Sequence, residues 1–183
     1  MRAADWVLVT GNPGKRREAE EVLGRAVACV ELDLPELQSD RLEEVLQAKA
    51  EEAWQRLRRP VVVEDTGLEL DTLGGFPGPL VKWMLRAIGP DGIARIAIER
   101  DEPGAVARCM LMLRDGGGSV LAEGSTRGVL VLPGRGEGGF GWDPVFQPEG
   151  ETRTYGELPA AVKSEIGHRG RAWRALLEKL RAA

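Results

Sequence analysis

Pro60 separates the clearest amphipathic stretch of this chain from a block of three valines, and that boundary constrains the fold more than any other feature. From Arg41 to Arg58 the apolar residues Leu42, Val45, Leu46, Ala53, Trp54 and Leu57 recur at three- and four-residue spacing, which predicts a helix with one buried face. Proline cannot continue it. Val61, Val62 and Val63 then read as a strand covered on both sides, because consecutive strand residues point to opposite faces and here both faces are apolar. The same alternation opens the chain. Val7 to Thr10 reads as a short strand, Lys15 to Leu23 as a helix closed by Gly24, and Ala26 to Leu32 as a second strand.

Further along, Leu80 to Ile88 and Gly92 to Ile98 are expected as helices broken at Gly89-Pro90. Val106 to Arg114 and Ser119 to Glu123 flank Asp115-Gly116-Gly117-Gly118, a hairpin signal, and Gly128 to Leu132 reads as another strand. After the glycine-rich loop GRGEGGFGWDPVFQPEG come Thr154-x-x-Glu157, which has capping-box spacing, and a helix from about Arg169 to Leu180. No repeat or long linker divides the chain. The expected class is therefore α/β with a mixed sheet, in a single domain of 183 residues.

Composition excludes several function classes. No apolar run approaches the roughly 18 to 20 residues of a membrane span, so no membrane partner and a cytoplasmic location are expected. The net charge of −4 argues against a general polyanion binder and against a stable nucleic-acid partner. Cys29 and Cys109 lack metal-type spacing and read as buried free thiols. His168 is the single histidine, which removes any multi-histidine metal site. A metal here is expected on carboxylates, hence Mg²⁺, with Mn²⁺ as the alternative.

Four constellations carry chemistry. VTGNPGK lacks Walker A spacing, and Arg16 stands where that loop needs Ser or Thr for its metal. Its strand–loop–helix setting still offers an anion site, to which Thr10, Asn12 and Lys15 add side-chain donors; a simple helix cap accounts for the same residues. Lys49 falls inside the apolar arc of its helix, so it either snorkels to solvent or meets an anion. Glu64 and Asp65 stand where the valine strand is expected to run out, before a turn at Thr66-Gly67. As neighbours in a strand they point apart, so one can be a metal ligand or base and the other a support, with a solvated strand end as the plain alternative. Glu36 adds a carboxylate from a separate loop. Phe140 and Trp142, beside glycines 138, 139 and 141, could stack on a flat ligand or pack under the loop. Lys163, His168 and Arg169 gather just before the last helix, as donors for an anion or a carbonyl-bearing ring, or as a solvated charged segment.

Taken in order, T-G-N-x-x-K, E-D-T-G-L-x-L-x-x-L-x-G-x-P-G, G-F-G-W-D-P-x-F and K-x-x-x-x-H-R closely resemble the inosine triphosphate pyrophosphatase family, from about Val7 to Leu180. The resemblance implies an elongated, two-lobed fold on a strongly twisted mixed sheet with flanking helices. One lobe would come largely from the terminal segments and one from the middle, with the site in the cleft between them and a homodimer as the assembly. It implies Mg²⁺-dependent hydrolysis of ITP, dITP and XTP to the monophosphate and pyrophosphate. On matching positions, Thr10, Asn12, Lys15 and Lys49 would contact the triphosphate, and Glu36 and Asp65 would hold the metal. Asp65 would also orient or deprotonate the attacking water, with Glu64 in support. Phe140 would stack on the base, Trp142 and Asp143 would shape its pocket, and Lys163, His168 and Arg169 would read its edge. Two positions depart from the family pattern: Ser164 stands where Asn is usual, and Gly167 where Ser is usual. Both bear on base discrimination rather than on phosphate chemistry. Related pyrophosphatases of pyrimidine or modified nucleotides lack the aromatic loop and the Lys…His-Arg motif.

Overall fold

The valine block begins a strand whose side chains alternate between two separate cores. Val62 packs with Leu8, Leu111, Leu113 and Trp173, whereas Val61 and Val63 pack with Leu46, Ala50 and Ala53. Both faces of this strand are covered, as an all-apolar run requires. A computed structural model describes residues 6–182; residues 1–5 and 183 lie outside the described residues. In chain order the elements are β1 (Val7–Val9), α1 (Pro13–Leu23), β2 (Cys29–Val30), α2 (Leu42–Leu57), β3 (Val61–Leu70), β4 (Pro77–Gly78) and α3 (Val81–Ile98). They continue with β5 (Gly104–Asp115), β6 (Gly118–Leu130), β7 (Phe146–Pro148), α4 (Ala160–Ile166) and α5 (His168–Ala182).

The seven strands form one mixed sheet in the order β2-β1-β3-β5-β6-β7, with β4 pairing β3 off that path. β1 runs parallel to β2 and β3, and every other pairing is antiparallel. Helices α1 and α5 cover one face through Ala19, Trp173, Leu176 and Leu180, and α2 covers the other through Leu46, Ala50 and Ala53. The far halves of β3 and β5 reach a third core, where Leu68, Leu70, Ala105 and Ala107 meet Ile93, Phe146 and Tyr155. The fold is mixed α/β with flanking helices, as the alternation of elements predicts.

Local chemistry explains most boundaries. Helix α2 ends at Arg58, which takes a left-handed φ of 49° and bonds its N–H to the carbonyl of Trp54, so the chain turns into Pro60. Helix α3 is broken at Gly89 (φ 68°, ψ 176°) before Pro90, at the dipeptide that the sequence marks. Of the Ala26–Leu32 strand only Cys29 and Val30 pair. Cys109 is buried, but Cys29 is only half-buried; both are free thiols. Lys163 sits within the short helix α4 rather than in the segment before the last helix. The Thr154–Glu157 pair makes half a capping box, since Glu157 accepts from the Thr154 N–H at 2.9 Å, but it closes a turn and not a helix.

Two expected breaks are continuous strand. β3 passes through Thr66-Gly67, and β6 joins the two segments separately expected at Ser119–Glu123 and Gly128–Leu132. Gly67 lies in β3 because a Cβ there would strike the backbone of Gly78 in β4, at 2.8 Å. Gly124 lies in β6 because a Cβ there would strike the Ala172 nitrogen and the His168 carbonyl in α5. The missing side chains let neighbouring backbone approach, so these glycines mark close packing rather than turns.

Substituting Gly124→Ala is expected to lower stability by about 1–3 kcal/mol in urea unfolding, because the added methyl forces α5 off the sheet. An unchanged or raised midpoint would show that α5 is not seated on that glycine.

Candidate active site

The cleft begins where β1 stops. Val9 pairs with Val63, and beyond that register β3 continues alone on the β1 side, carrying Glu64 and Asp65. Ligand sites of α/β sheets form at such strand ends. Strand alternation then divides the two carboxylates. Asp65 shares a face with Val61 and Val63 and meets Lys49 from α2, Nζ to Oδ2 at 3.0 Å. Glu64 shares a face with Val62 and meets Arg169 from α5, Nε to Oε1 at 2.8 Å.

Asp65 is gripped from two sides. Besides Lys49, the Lys15 ammonium lies 3.9 Å from Oδ1, and the Thr66 N–H donates to Oδ1 at 3.0 Å. Burial pushes this carboxyl up, but Lys15, Lys49 and the Thr66 N–H outweigh it and hold it below the ordinary value for aspartate. Lys49 therefore does not snorkel to solvent. Its apolar-arc position on α2 aims it over the sheet edge at an anion.

Glu64 belongs to a longer buried chain of charge. Arg169 bonds Glu64 through Nε and Glu18 through its NH1 group, and Glu18 bonds Lys163 at 2.7 Å. Lys163 in turn donates to Asp143 at 2.6 Å, and Asp143 accepts the Phe140 backbone N–H at 2.6 Å. On the other side, Lys15 lies 3.6 Å from Glu64 and leads on to Asp65. Signs alternate at every link. Burial pushes Glu18 up, but Arg169 and Lys163 prevail and hold its carboxyl at about 2. Asp143 is raised instead, because burial there exceeds the pull of Lys163. Burial is paid for on α5 by Trp173, Leu176 and Leu180, each of which contributes about 1.5–3 kcal/mol when fully buried.

The opening loop caps its own helix. The Asn12 side-chain oxygen accepts the N–H groups of Gly14 (2.8 Å) and Lys15 (3.2 Å), and the Thr10 hydroxyl accepts the Asn12 N–H (3.1 Å). Pro13 has no N–H. Contrary to a cradle of loop amides, the N–H groups of Gly14 and Lys15 are thus already satisfied, leaving the side chains of Thr10, Asn12 and Lys15, which line the cleft, as donors.

The cleft has a volume of about 760 Å³. Thr10, Asn12, Lys15, Lys49, Glu64 and Asp65 line one part of it, and Phe140 and Trp142 another. Glu36 also reaches its wall, from the segment between β2 and α2, and pairs with Lys82 at the start of α3. The neighbouring Trp83 donates its Nε1 proton to Gln38 at 2.8 Å, a second tie between the same two segments. Asp143, Lys163, His168 and Arg169 do not line the cleft; they lie behind the Phe140 loop. His168 is buried 5.7 Å from the Tyr155 ring and 6.3 Å from that of Trp142, and neither of its ring nitrogens has a protein partner among the described residues. Burial, with Arg169 beside it, pushes His168 well below the ordinary value, so the ring is neutral near pH 7.

Sequence reasoning missed Glu18 and Lys82. Glu18 had a local signal, because three-residue spacing puts it on the same face of α1 as Lys15. Lys82 had only its place after GFPGP, with nothing local to aim it at Glu36.

A single mixed sheet, with a capped loop at the end of a parallel strand and lysines set against carboxylates, defines a mixed α/β protein with a cleft suited to a phosphorylated ligand. Residues 6–179 match the model of the Ham1 family, and the chain belongs to that family. It is 46% identical over 173 residues to inosine triphosphate pyrophosphatase 2 of Trypanosoma cruzi, covering 92% of this chain and 88% of that protein. Among solved structures it resembles a HAM1 protein from Coxiella burnetii, with a TM-score of 0.81 at 25% identity, covering 97% and 98% of the two chains. It also resembles a nucleoside-triphosphatase, or dITP/XTP pyrophosphatase, from Mycobacterium abscessus, with a TM-score of 0.68 at 32% identity, covering 94% and 98%.

Glu18→Gln is expected to cost on the order of 3 kcal/mol near neutral pH, read by denaturant unfolding. The folded carboxyl titrates below its ordinary 4.5, so its contribution is complete above pH 4.5 and lost as pH falls toward 2. The gap between variant and wild type should close across that window. A gap that stays constant with pH would remove the charge of Glu18 as its cause.

Proposed function

We propose that this protein hydrolyses non-standard purine nucleoside triphosphates (ITP, dITP and XTP) to the monophosphate and pyrophosphate, and so cleanses the nucleotide pool. The observation that carries this reading is Asp65, on β3 just past the end of β1, between Lys15 and Lys49 on the wall of a cleft that also holds Asn12 and Phe140. The 46% identity to a protein named inosine triphosphate pyrophosphatase 2 supports it.

Splitting a phosphoanhydride requires charge neutralisation and an aligned water more than covalent help. Lys15 and Lys49 are held in place by Asp65 until a triphosphate arrives. As they turn to its phosphates they neutralise the charge that develops on the leaving pyrophosphate. Asp65, released from the two ammonium groups, is then free to orient or deprotonate the attacking water. Glu64 stays fixed by Arg169 and keeps this part of β3 in place. Phe140 stacks on the base, and Lys163, His168 and Arg169 read its edge. Donors there reward the 6-oxo group of hypoxanthine and xanthine and oppose the 6-amino group of adenine.

The residues also fit a magnesium ion. Glu36 and Asp65 both offer hard carboxylate oxygens to the cleft. Among the described residues no group of three or more His, Cys, Asp or Glu is placed to hold a metal, so protein ligands alone would not complete a shell. A pair of carboxylates completed by substrate phosphates and water suits Mg²⁺, with Mn²⁺ as the alternative. When bound, the ion supplies charge neutralisation on phosphate oxygens.

The same reading takes the chain as one domain whose two lobes face the cleft, acting as a homodimer in the cytoplasm. Free thiols at Cys29 and Cys109 suit a reducing compartment, and no helix among the described residues is long and apolar enough to cross a membrane. Light scattering tests the assembly, with a mass near twice 19.9 kDa expected.

Parallel incubations with Mg²⁺ and ITP, dITP, XTP, dTTP, ATP or GTP test the reaction. Pyrophosphate is expected from the first three alone, and orthophosphate instead would overturn the reading. Asp65→Asn should lower kcat by about 10²–10⁴-fold while ITP binding stays measurable; near-wild-type turnover would remove Asp65 from the chemistry. Lys49→Ala should weaken both ITP binding and turnover, and unchanged kinetics would leave Lys49 a purely structural partner of Asp65.

A further inference from the structure

The Phe140 ring occupies a seat that another residue leaves open. A Cβ on Gly14, in the first turn of α1, would sit 2.5 Å from both Cδ1 and Cε1 of that ring. Only a glycine lets the ring lie there. The seated ring also covers the buried cations: Lys163 Nζ is 5.3 Å and Arg169 Cζ 5.2 Å from its centroid. Phe140, Gly141 and Trp142 border the cleft, but Lys163 and Arg169 do not, so the ring stands between them and the open volume.

Its backbone is arranged for the side chain alone to move. The Phe140 N–H is fixed on Asp143 at 2.6 Å, and Gly139 (φ 74°) and Gly141 (φ 65°) flank it in left-handed conformations. Behind the ring, Lys163 and Arg169 are already bonded to Asp143, Glu18 and Glu64. Nothing in the free protein draws those cations forward.

The geometry points to Gly14 as a positioning residue for base recognition: it seats the Phe140 ring as a plug, which a purine must displace to reach Lys163 and Arg169. This rests on the assignment of those cations to the base. It makes the glycine of the phosphate loop a determinant of how readily the base pocket opens. The binding-competent fraction, and with it the apparent affinity, is reduced while the plug is seated.

Gly14→Ala is the direct test. Gly14 has an ordinary helical backbone, where alanine is favoured, so the variant is expected to fold. The chain has three phenylalanines, so 4-fluorophenylalanine labelling gives three ¹⁹F signals, and Phe140→Leu identifies the one from the ring. In the wild type that signal should shift on adding IMP and stay in place on adding inorganic tripolyphosphate, which has no base. In Gly14→Ala it should already be shifted without ligand, and KM for ITP should fall by about threefold or more. An unshifted signal in the free variant, a wild-type signal indifferent to IMP, or a raised KM would each overturn the plug; the last would mean that the seat is where Phe140 stacks on the base. Because the fluorine signal does not depend on turnover, a protein that shows these shifts but leaves ITP intact loses the functional assignment and keeps the plug.

Discussion

Arg169 and Glu64 meet at 2.8 Å with side chains only 3% and 1% exposed, and the rest of the cleft is built around that pair. Two such charges taken out of water cost several kcal/mol each, and their attraction repays this only if their remaining hydrogen-bonding capacity is met. The structure meets most of it by extending the pair at both ends, and leaves Glu64 Oε2 without a protein partner among the described residues. Glu18 takes the other side of the guanidinium, Lys163 and Asp143 continue from it, and Lys15 continues from Glu64 toward Asp65 and Lys49. Eight groups of alternating sign run from the Phe140 loop through β3 to Lys49 on α2. Each is held by its neighbours, and at the buried members Asp143, Lys163, Arg169 and Glu64 the loss of a partner strands a buried charge.

That chain depends on the two-residue period of a strand. Because Glu64 and Asp65 are adjacent, the sheet presents them on opposite faces. One becomes the inner support that α5 and α1 lock, and the other becomes the cleft group that α2 approaches. Neither could serve in the other's place. The same period keeps Val61 and Val63 on the α2 side and Val62 on the α5 side, so the packing that stabilises the sheet also sorts the two carboxylates. Stability and site geometry therefore share a cause.

This explains what the sequence made legible and what it hid. The α2 boundaries, the buried valine strand and the helix break at Gly89 follow from local rules, and Lys49 stood out because an ammonium inside an apolar arc must either snorkel out or meet an anion. Glu18 did not stand out among the charges of KRREAEE, since its partners Lys163 and Arg169 lie 145 and 151 residues away. Thr66-Gly67 looked like a turn, and Gly124 like the end of a strand, for a related reason. A glycine needed for backbone contact between elements has the same local signature as one needed for a positive φ. The charged neighbours of His168 gave no sign of its burial between Trp142 and Tyr155 in the first turn of α5.

Charge balance on the cleft carries the synthesis one step further. Lys15, Lys49 and Lys82 face it, and each is already paired with a carboxylate among Glu64, Asp65 and Glu36. The free site is close to neutral. A triphosphate cannot bind it as a ready-made basic pocket, because the anion must take lysines from carboxylates that then face it uncompensated. Like charges about 4 Å apart repel by about 4 kcal/mol at an effective dielectric near 20, more than one phosphate contact returns. The carboxylates left behind, Asp65 and Glu36, are the two that offer oxygens to a divalent ion, so exchange of lysine for metal at those oxygens would leave both the anion and the protein neutralised. Two carboxylates in a phosphate site are thus explained most simply by the proposed divalent ion, which would take the place of the lysines at their oxygens.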